Sequence, residues 1–324
     1  MEKVTGTYLI TGGCGFIGSY IARDLLEEGA NVIVYDLKID QGIIEKIVSK
    51  EKLKNVIFVQ GSVAETSDFF DTIKKYKVDS IIHLAYVLYP QSENNPSVSL
   101  QVNVIGTNNI FEAARYFGLR RVIWTSSVSV FGSLGEFYGD KVITEKEVMY
   151  RPTRLYGATK ALLEFLAKLY HEKFGVDIIG FRLARIYGVG KLSGGGLEFT
   201  GLLEQAALDI PITIRDGDAK WTYAYVEDVA RLIVKACQVS STKTKLFSVG
   251  DGGIYNGWQL AEVIKRVNPK AQIKVEPGRG VYDFPIQDMT PLREELGFIP
   301  EYPLERGLRE VFNYFRRQKG LPSL

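Results

Sequence analysis

The stretch Thr11-Gly12-Gly13-Cys14-Gly15-Phe16-Ile17-Gly18, here called the Gly-rich turn, decides the fold class of this 324-residue chain. An apolar run typical of a strand, residues 8–10, precedes it, and a helical pattern follows it over residues 17–28. Glycine allows a tight turn and lets backbone N–H groups approach a pyrophosphate closely. The helix N-terminus adds free N–H groups and the positive end of a dipole. The stretch therefore predicts a dinucleotide phosphate site between the first strand and the first helix.

A carboxylate follows the second predicted strand at the distance that such a site requires. Asp36 comes directly after residues 32–35, near the ~20-residue offset at which an acidic side chain binds the adenosine ribose diol. The same charge repels a 2′-phosphate, so the sequence favours NAD over NADP as the cofactor. Lys38 lies close enough to weaken that preference.

The rest of the first half alternates short apolar runs with helical patterns. Strands are predicted at residues 32–35, 56–59, 80–84, 121–124 and 177–181, with helices such as 66–75, 97–117 and 156–171 between them. This alternation favours a parallel sheet covered by helices on both faces. We therefore predict an α/β protein with a Rossmann doubly wound parallel sheet, whose NAD-binding domain covers residues 1–181.

From Arg182 onward the alternation loosens. Residues 191–196 form a Gly-rich stretch that we interpret as a flexible loop. Helical patterns and short strand-like runs follow it, at residues 197–208, 212–214, 226–237, 247–249, 259–267 and 303–316. Residues 182–324 thus predict a smaller C-terminal α/β substrate-binding lobe, partly intercalated with the first domain and closing over the cofactor.

The charge balance and the cysteines argue against several kinds of partner. The chain has 40 Lys and Arg residues and 38 Asp and Glu residues, a net charge of +2, which gives no reason to expect nucleic acid or an anionic membrane. Cys14 and Cys237 belong to no close Cys/His spacing, so we expect neither a disulfide framework nor a metal site. Because we find no secretory leader and no apolar run long enough to span a bilayer, we expect a cytoplasmic protein.

A Tyr-x-x-x-Lys spacing supplies the predicted chemistry. Tyr156 and Lys160 lie four residues apart near the start of a helix and therefore share one helical face. A free phenol titrates near pH ~10, but an adjacent ammonium and the positive nicotinamide ring should lower the pKa of Tyr156. The phenol can then exchange a proton with a substrate hydroxyl while hydride moves to or from the ring. Ser127, after the predicted strand 121–124, can donate a hydrogen bond to the reacting oxygen.

These motifs resemble those of the extended short-chain dehydrogenase/reductases, the group of NAD-dependent nucleotide-sugar epimerases and dehydratases. The matching residues span nearly the whole chain: 11–18, 36, 83–85, 103–108, 126–132, 156–160, 187–188 and 225–230. The resemblance implies catalytic roles for Ser127, Tyr156 and Lys160, with Lys160 also holding the nicotinamide ribose and Asn103 bracing the site. The cofactor contacts that it implies are Gly12, Gly15, Phe16, Ile17, Gly18, Asp36, Leu37, Ser62, Val63, Leu84, Ala85, Asn103, Thr125, Tyr156 and Lys160. It also implies a homodimer that pairs helices 97–117 and 156–173 of each subunit.

Departures from the family pattern fall mainly where a nucleotide sugar would bind. Trp221 stands where the family usually has the basic residue that grips the diphosphate, and Trp cannot imitate a bidentate cation. Arg185 replaces an Asn and can either compensate for that loss or bind a substrate carboxylate. Ser62 stands where an Asp near the adenine is usual, and Tyr86, where a small residue is commoner, either shapes the pocket or only packs. The substrate contacts that we expect are Tyr86, Ser127, Ser129, Arg185 and Trp221.

Two enzymatic hypotheses share these catalytic residues. In the first, which Arg185 and Trp221 favour, an NAD-dependent oxidoreductase transfers a hydride between NAD and a secondary alcohol or ketone of a sugar, sugar acid or polyol. In the alternative, a nucleotide-sugar epimerase of the UDP-sugar type returns the hydride to the opposite face and keeps NAD bound. A third hypothesis is a dinucleotide-sensing regulator without turnover, which has little use for Tyr156 and Lys160 at catalytic spacing.

Overall fold

The computed structural model describes residues 4–133, 135–139, 141–144, 147, 149–191, 197–280 and 283–324, so the predicted loop at 191–196 lies, beyond Lys191, outside the described residues. The strands are β1 (Thr7–Thr11), β2 (Asn31–Asp36), β3 (Val56–Gln60), β4 (Ser80–His83), β5 (Arg121–Ser127), β6 (Val142–Ile143), β7 (Ile178–Leu183), β8 (Arg185–Tyr187), β9 (Ile212–Ile214), β10 (Tyr223–Tyr225), β11 (Leu246–Val249), β12 (Ile273–Val275) and β13 (Ile286–Gln287). The helices are α1 (Phe16–Glu27), α2 (Ile44–Ile47), α3 (Lys50–Leu53), α4 (Thr66–Tyr76), α5 (Gln91–Asn94), α6 (Pro96–Ser99), α7 (Thr107–Phe117), α8 (Gly135–Tyr138), α9 (Leu155–Phe174), α10 (Leu197–Ala207), α11 (Val226–Gln238), α12 (Gly257–Val267), α13 (Thr290–Leu296) and α14 (Leu304–Gln318).

The main sheet has seven strands in the order β11-β7-β5-β4-β1-β2-β3, and every neighbouring pair is parallel. From β1 the chain proceeds to one edge through β2 and β3, then returns to build the other side from β4 onward. This reversal is the doubly wound arrangement, and it leaves a crevice at the carboxyl ends of β1 and β4. The predicted Rossmann α/β fold is therefore confirmed, and the Gly-rich turn opens into that crevice.

Alternating side chains of the central strands form two hydrophobic cores, one on each face of the sheet. Tyr8 and Ile10 of β1 point into one core, and Leu9 between them points into the other. The first core is covered by α1 and α11, which pack on each other, and the second by α4, α7 and α9. Strands buried on both faces need near-continuous apolar sequence, which β2 and β4 provide.

The predicted helix over residues 97–117 is not uniform. Its N-terminal part is α6, its C-terminal part is α7, and a π-helical segment, Leu100–Gly106, joins them. Within that segment the side chain of Asn103 turns inward and is fully buried. Widened turns of this kind occur frequently at functional sites, and this one faces the segment that follows β4.

The C-terminal half contributes to both parts of the molecule. Its strand β11 pairs with β7 at the edge of the main sheet, and α11 covers one face of that sheet. A separate hydrophobic core lies among α10, α12 and α14, beside the small parallel pairs β8–β10 and β9–β12. The boundary at residue 181 between an NAD-binding domain and a substrate-binding lobe stays a prediction. Within the described part of the chain, no helix is long and apolar enough to cross a membrane.

Candidate active site

The Gly-rich turn packs so tightly that side chains at two of its positions would collide with backbone. Gly12 has a φ of +68°, and a Cβ there would lie 2.9 Å from the carbonyl carbon of Leu84 and from the amide nitrogen of Ala85. A Cβ on Gly18 would lie 2.7 Å from the Gly12 oxygen. Helix α1 begins directly after Gly15, and no side chain among the described residues caps its first N–H groups. These groups stay available for the phosphates of NAD, so the turn fits the cofactor.

Asp36 lies at the carboxyl end of β2 beside this turn. One of its carboxylate oxygens accepts a hydrogen bond from the backbone N–H of Cys14 at 3.0 Å. Burial raises the pKa of Asp36, whereas the N–H groups of Cys14, Leu37 and Lys38 oppose that rise. Asp36 also lines the cavity described below, in the position expected of a ligand for the ribose diol.

One central cavity of about 1480 Å³ unites the carboxyl ends of the main strands with the C-terminal half of the chain. Most of the predicted site residues line it. Those predicted for the cofactor are Gly12, Gly15, Phe16, Ile17, Gly18, Asp36, Leu37, Ser62, Val63, Leu84, Ala85, Thr125 and Tyr156. Those predicted for the substrate are Tyr86, Ser127, Ser129, Arg185 and Trp221. The structure therefore brings both sets together in a single space.

Asn103 and Lys160 differ from the other predicted cofactor residues because both are fully buried and neither lines the central cavity. The Asn103 amide accepts a hydrogen bond from the Val87 N–H at 2.7 Å and donates one to the Val87 carbonyl at 3.0 Å. It therefore braces the segment after β4. This contact fits the bracing role implied for Asn103, whereas direct contacts of Asn103 and Lys160 with the cofactor stay predictions.

The three predicted catalytic residues meet at the carboxyl end of β5. The Ser127 hydroxyl is in hydrogen-bonding contact both with the Tyr156 hydroxyl and with Ser129 Oγ, which lies 3.0 Å away. Lys160 lies one helical turn further along α9 and donates its ammonium proton to the Thr125 carbonyl at 2.5 Å. Its Nζ lies 5.6 Å from the centre of the Tyr156 ring.

The expected lowering of the Tyr156 pKa is not found in this structure. Burial raises the pKa of Tyr156, and the hydrogen bond from Ser127 only partly offsets that effect. The reason is geometric, since the Lys160 ammonium is directed at the Thr125 carbonyl instead of the phenol. The phenol is therefore neutral here, and the expectation left out the desolvation of its hydroxyl.

A buried ion pair that was not predicted from the sequence joins α9, which carries Tyr156 and Lys160, to strands β5 and β7. Arg182 of β7 donates to both carboxylate oxygens of Glu164 at 2.8 Å, and Ser126 donates to the same carboxylate at 2.5 Å. Two signals were available: Glu164 stands four residues after Lys160, and Arg182 interrupts an apolar strand. A charge inside such a strand requires a buried partner.

The wall formed by the C-terminal half carries cations and aromatic rings. The Arg185 guanidinium carbon lies 3.3 Å from the centroid of the Trp221 ring, a stacked cation–π arrangement. Lys191 Nζ donates to the Ile186 carbonyl at 2.8 Å, and burial lowers its pKa to about 8, with Arg185 acting in the same direction. Arg215 lines the same wall. Of these three cations, only Arg185 was predicted from the sequence as a substrate contact.

A glycine-cradled helix terminus, the carboxylate of Asp36 and the Ser127–Tyr156 pair all line this cavity, and a family model agrees with them. The model of the NAD dependent epimerase/dehydratase family matches residues 8–250. The chain belongs to this family. Membership places it among the extended short-chain dehydrogenase/reductases, so it is an NAD-dependent enzyme.

Relatives within the family differ in what they act on. The CDP-paratose 2-epimerase of Salmonella typhi is 27% identical, over 94% of this chain and 98% of that protein. The UDP-glucose 4-epimerase of Thermotoga maritima, solved with UDP-glucose, is 26% identical with a TM-score of 0.78, covering 97% of this chain and 99% of that one. The L-threonine dehydrogenase of Clostridium difficile is 25% identical with a TM-score of 0.82, covering 98% and 99%.

Proposed function

We propose that this enzyme is an NAD-dependent epimerase of a nucleotide-linked sugar, which keeps its NAD bound and recycles it. The observation that carries the proposal is the central cavity of about 1480 Å³, which is lined both by the Gly-rich turn and by three cations of the C-terminal half. Pockets for one drug-sized ligand measure about 300–1,000 Å³, so this cavity has room for the cofactor and a second large ligand.

The three cations give that second ligand an expected charge. Arg185, Lys191 and Arg215 all line this cavity, with Lys191 Nζ 5.9 Å from the centre of the Phe16 ring in the Gly-rich turn. Guanidinium groups bind phosphate oxygens with paired, charge-assisted hydrogen bonds. They can supply the contact that Trp221 cannot make, which supports a diphosphate-bearing substrate. Relatives of this chain that act on CDP-paratose and UDP-glucose support the same class.

The chain's own residues would manage the proton in this reaction. The bound cofactor supplies the hydride acceptor and donor. Tyr156, once ionised beside the positive nicotinamide ring, would accept the proton of a substrate hydroxyl while a hydride leaves the same carbon, which yields a ketone and a neutral phenol. Return of the hydride to the other face and of the proton from Tyr156 yields the epimer with no net oxidation. Ser127, in contact with the Tyr156 hydroxyl, would bind the reacting oxygen, and the Lys160 amine, 5.6 Å from the centre of the Tyr156 ring, would add a more distant positive charge.

The test is a substrate panel with two readouts. NAD-loaded protein is incubated with UDP-, CDP-, GDP- and dTDP-sugars, and separately with free sugars, sugar acids and polyols. Epimer formation, followed by proton NMR, without net NADH is the expected result. A Tyr156→Phe variant should lose turnover while its NAD affinity stays nearly unchanged. NADH accumulation with a free alcohol, and no reaction with any nucleotide sugar, would overturn the proposal.

A second candidate is net oxidation of a small secondary alcohol of a sugar, sugar acid or polyol. The specific observation is the Arg185 guanidinium stacked on Trp221, which resembles a carboxylate-binding wall more than a diphosphate clamp. The similarity to an L-threonine dehydrogenase supports it as well. The same panel separates the two candidates, because only this one predicts stoichiometric NADH.

We also propose that the enzyme is a cytoplasmic homodimer. Leu162, Phe165 and Leu169 lie on one face of α9 and expose about half of their surface, between 47% and 59%. Val98 and Ile105, in the helical path from α6 to α7, are similarly exposed. Apolar faces of this size on adjacent helices are typical of subunit interfaces. Sedimentation equilibrium should give a dimer for the wild type and a monomer for Phe165→Glu.

The cytoplasmic location rests on two buried free thiols, Cys14 and Cys237.

A further inference from the structure

Tyr86 lies between the central cavity and the amine of Lys160. It follows β4 directly, and its ring packs on His83 with 4.6 Å between ring centroids. Tyr86 lines the cavity, whereas Lys160 is fully buried and does not. The Lys160 Nζ lies over the face of the Tyr86 ring, 2.7 Å from its centroid. The ring therefore lies against an ammonium that also donates a hydrogen bond to the Thr125 carbonyl.

A buried ammonium needs more stabilisation than this site otherwise provides. Among the described residues, the Thr125 carbonyl is the hydrogen-bond acceptor that Lys160 contacts. Burial lowers the pKa of Lys160, and the Glu164 carboxylate only partly offsets that effect. Burial also raises the pKa of Tyr86, so its phenol stays neutral and its ring face stays electron-rich. Cation–π attraction is strongest when the cation is desolvated, as it is here.

We propose that Tyr86 is a positioning residue whose ring face keeps Lys160 charged and directs it toward the Thr125 carbonyl, beside the Tyr156 phenol. The inference rests on the proposed catalytic role of Tyr156 and Lys160. A purely packing role for Tyr86 would require only the volume of its ring. The positioning role requires the negative charge density of the ring face, and this difference can be measured.

Several other groups around Lys160 also respond to pH. Tyr156 and Glu164 come from its own helix, α9, and Glu164 is held by Arg182 of β7. From β4, His83 faces the same amine, and burial together with the Lys160 charge lowers the pKa of His83 well below its usual range. His83 is therefore neutral near pH ~7. The Tyr86 ring also packs on His83, but a neutral His83 adds no charge beside Lys160, so a shift in the titration of Lys160 reports on the ring.

The experiment follows the Lys160 amine itself in the full-length protein. The protein is labelled with ¹⁵N-lysine, and the Lys160 Nζ resonance is identified by its loss in Lys160→Arg. Residue 86 is then replaced by phenylalanine and by phenylalanine with one, two and three ring fluorines. Fluorination weakens the ring face while nearly keeping its size. As a control, the same fluorinated phenylalanines replace Phe247, which packs on Phe181 in the core covered by α1 and α11.

Tyr86→Phe should leave the titration midpoint of Lys160 within a few tenths of a pH unit. Increasing fluorination should lower it stepwise, by about one pH unit for three fluorines, a tenfold loss of the ammonium at a given pH. An unchanged midpoint across the series overturns the proposal, as does a Lys160 signal without an ammonium form at any pH that keeps the protein folded. No substrate is needed, so failure of the proposed epimerase activity would leave this result unaffected.

Discussion

The ion pair between Glu164 and Arg182 predicts an unequal response to single and paired substitutions. The two side chains are 1% and 2% exposed, and two hydrogen bonds of 2.8 Å join them. Glu164→Gln leaves the guanidinium charge buried without its counter-ion. Removing one partner of such a pair costs about 3–5 kcal/mol. That cost is a large share of the roughly 5–15 kcal/mol by which native proteins are stable.

The expected change in melting temperature follows from the size of the chain. At about 2.1 cal/mol/K per residue, unfolding 324 residues has an entropy of roughly 0.7 kcal/mol/K. A loss of about 4 kcal/mol therefore lowers Tm by roughly 6 °C. Urea unfolding followed by circular dichroism measures the free energy, and differential scanning calorimetry measures Tm.

A matched control lies on the same helix. Glu172 is 62% exposed and 3.8 Å from Lys168, so Glu172→Gln should cost less than about 0.5 kcal/mol. The paired replacement of Glu164 by Leu and Arg182 by Met should be more stable than either single variant, because it leaves neither member of the pair buried without its counter-ion. The reasoning fails if Glu164→Gln and Glu172→Gln have equal stability, or if the paired variant is the least stable of the set.

Three further predictions concern ligand binding. Gly18→Ala places a methyl group 2.7 Å from the Gly12 oxygen and should weaken NAD binding by about tenfold or more in a fluorescence titration. Gly201→Ala, whose methyl group would have no atom of the described chain within 4 Å, should not weaken it, and equal affinities would contradict the geometry. Asp36→Ser removes the charge that repels a 2′-phosphate, so the ratio of NADP to NAD affinity should rise, and an unchanged ratio counts against the ribose-binding role. Lys191 has a pKa of about 8 and should become fully protonated when an anion binds beside it. The affinity for UDP, measured by calorimetry, should therefore be constant below about pH 8 and decrease above it. If the affinity of Lys191→Met decreases above about pH 8 in the same way, Lys191 is not the cause.

The fold and most of the cofactor site could be predicted because local sequence patterns encode them. The strand that ends at Thr11, the glycines after it and Asp36 lie within the first 36 residues, so spacing alone relates them. The alternation of strands and helices predicted the main sheet for the same reason. Predicted and observed element bounds in this half differ by only a few residues.

The contacts around Lys160 could not be predicted, because they depend on how separate elements pack. Neither the ring of Tyr86 nor the carbonyl of Thr125 is near Lys160 in sequence, although both touch its ammonium. The pKa of Tyr156 depends on the solvent that folding removes, which spacing does not report. Trp221 led the sequence analysis to favour net oxidation, whereas Lys191 and Arg215 in the cavity wall support the epimerase alternative.

The position of β11 has a consequence for biosynthesis. This strand completes the edge of the main sheet, yet Leu246–Val249 lie about three quarters of the way along the chain. Most of the polypeptide must therefore be synthesised before β11 is available to pair with the open edge of β7. Until then, a nascent chain presents an unpaired, apolar strand that can pair with a neighbouring chain. Truncations that end before residue 246 should accumulate in inclusion bodies, and trigger-factor-type chaperones should raise the yield of intact protein.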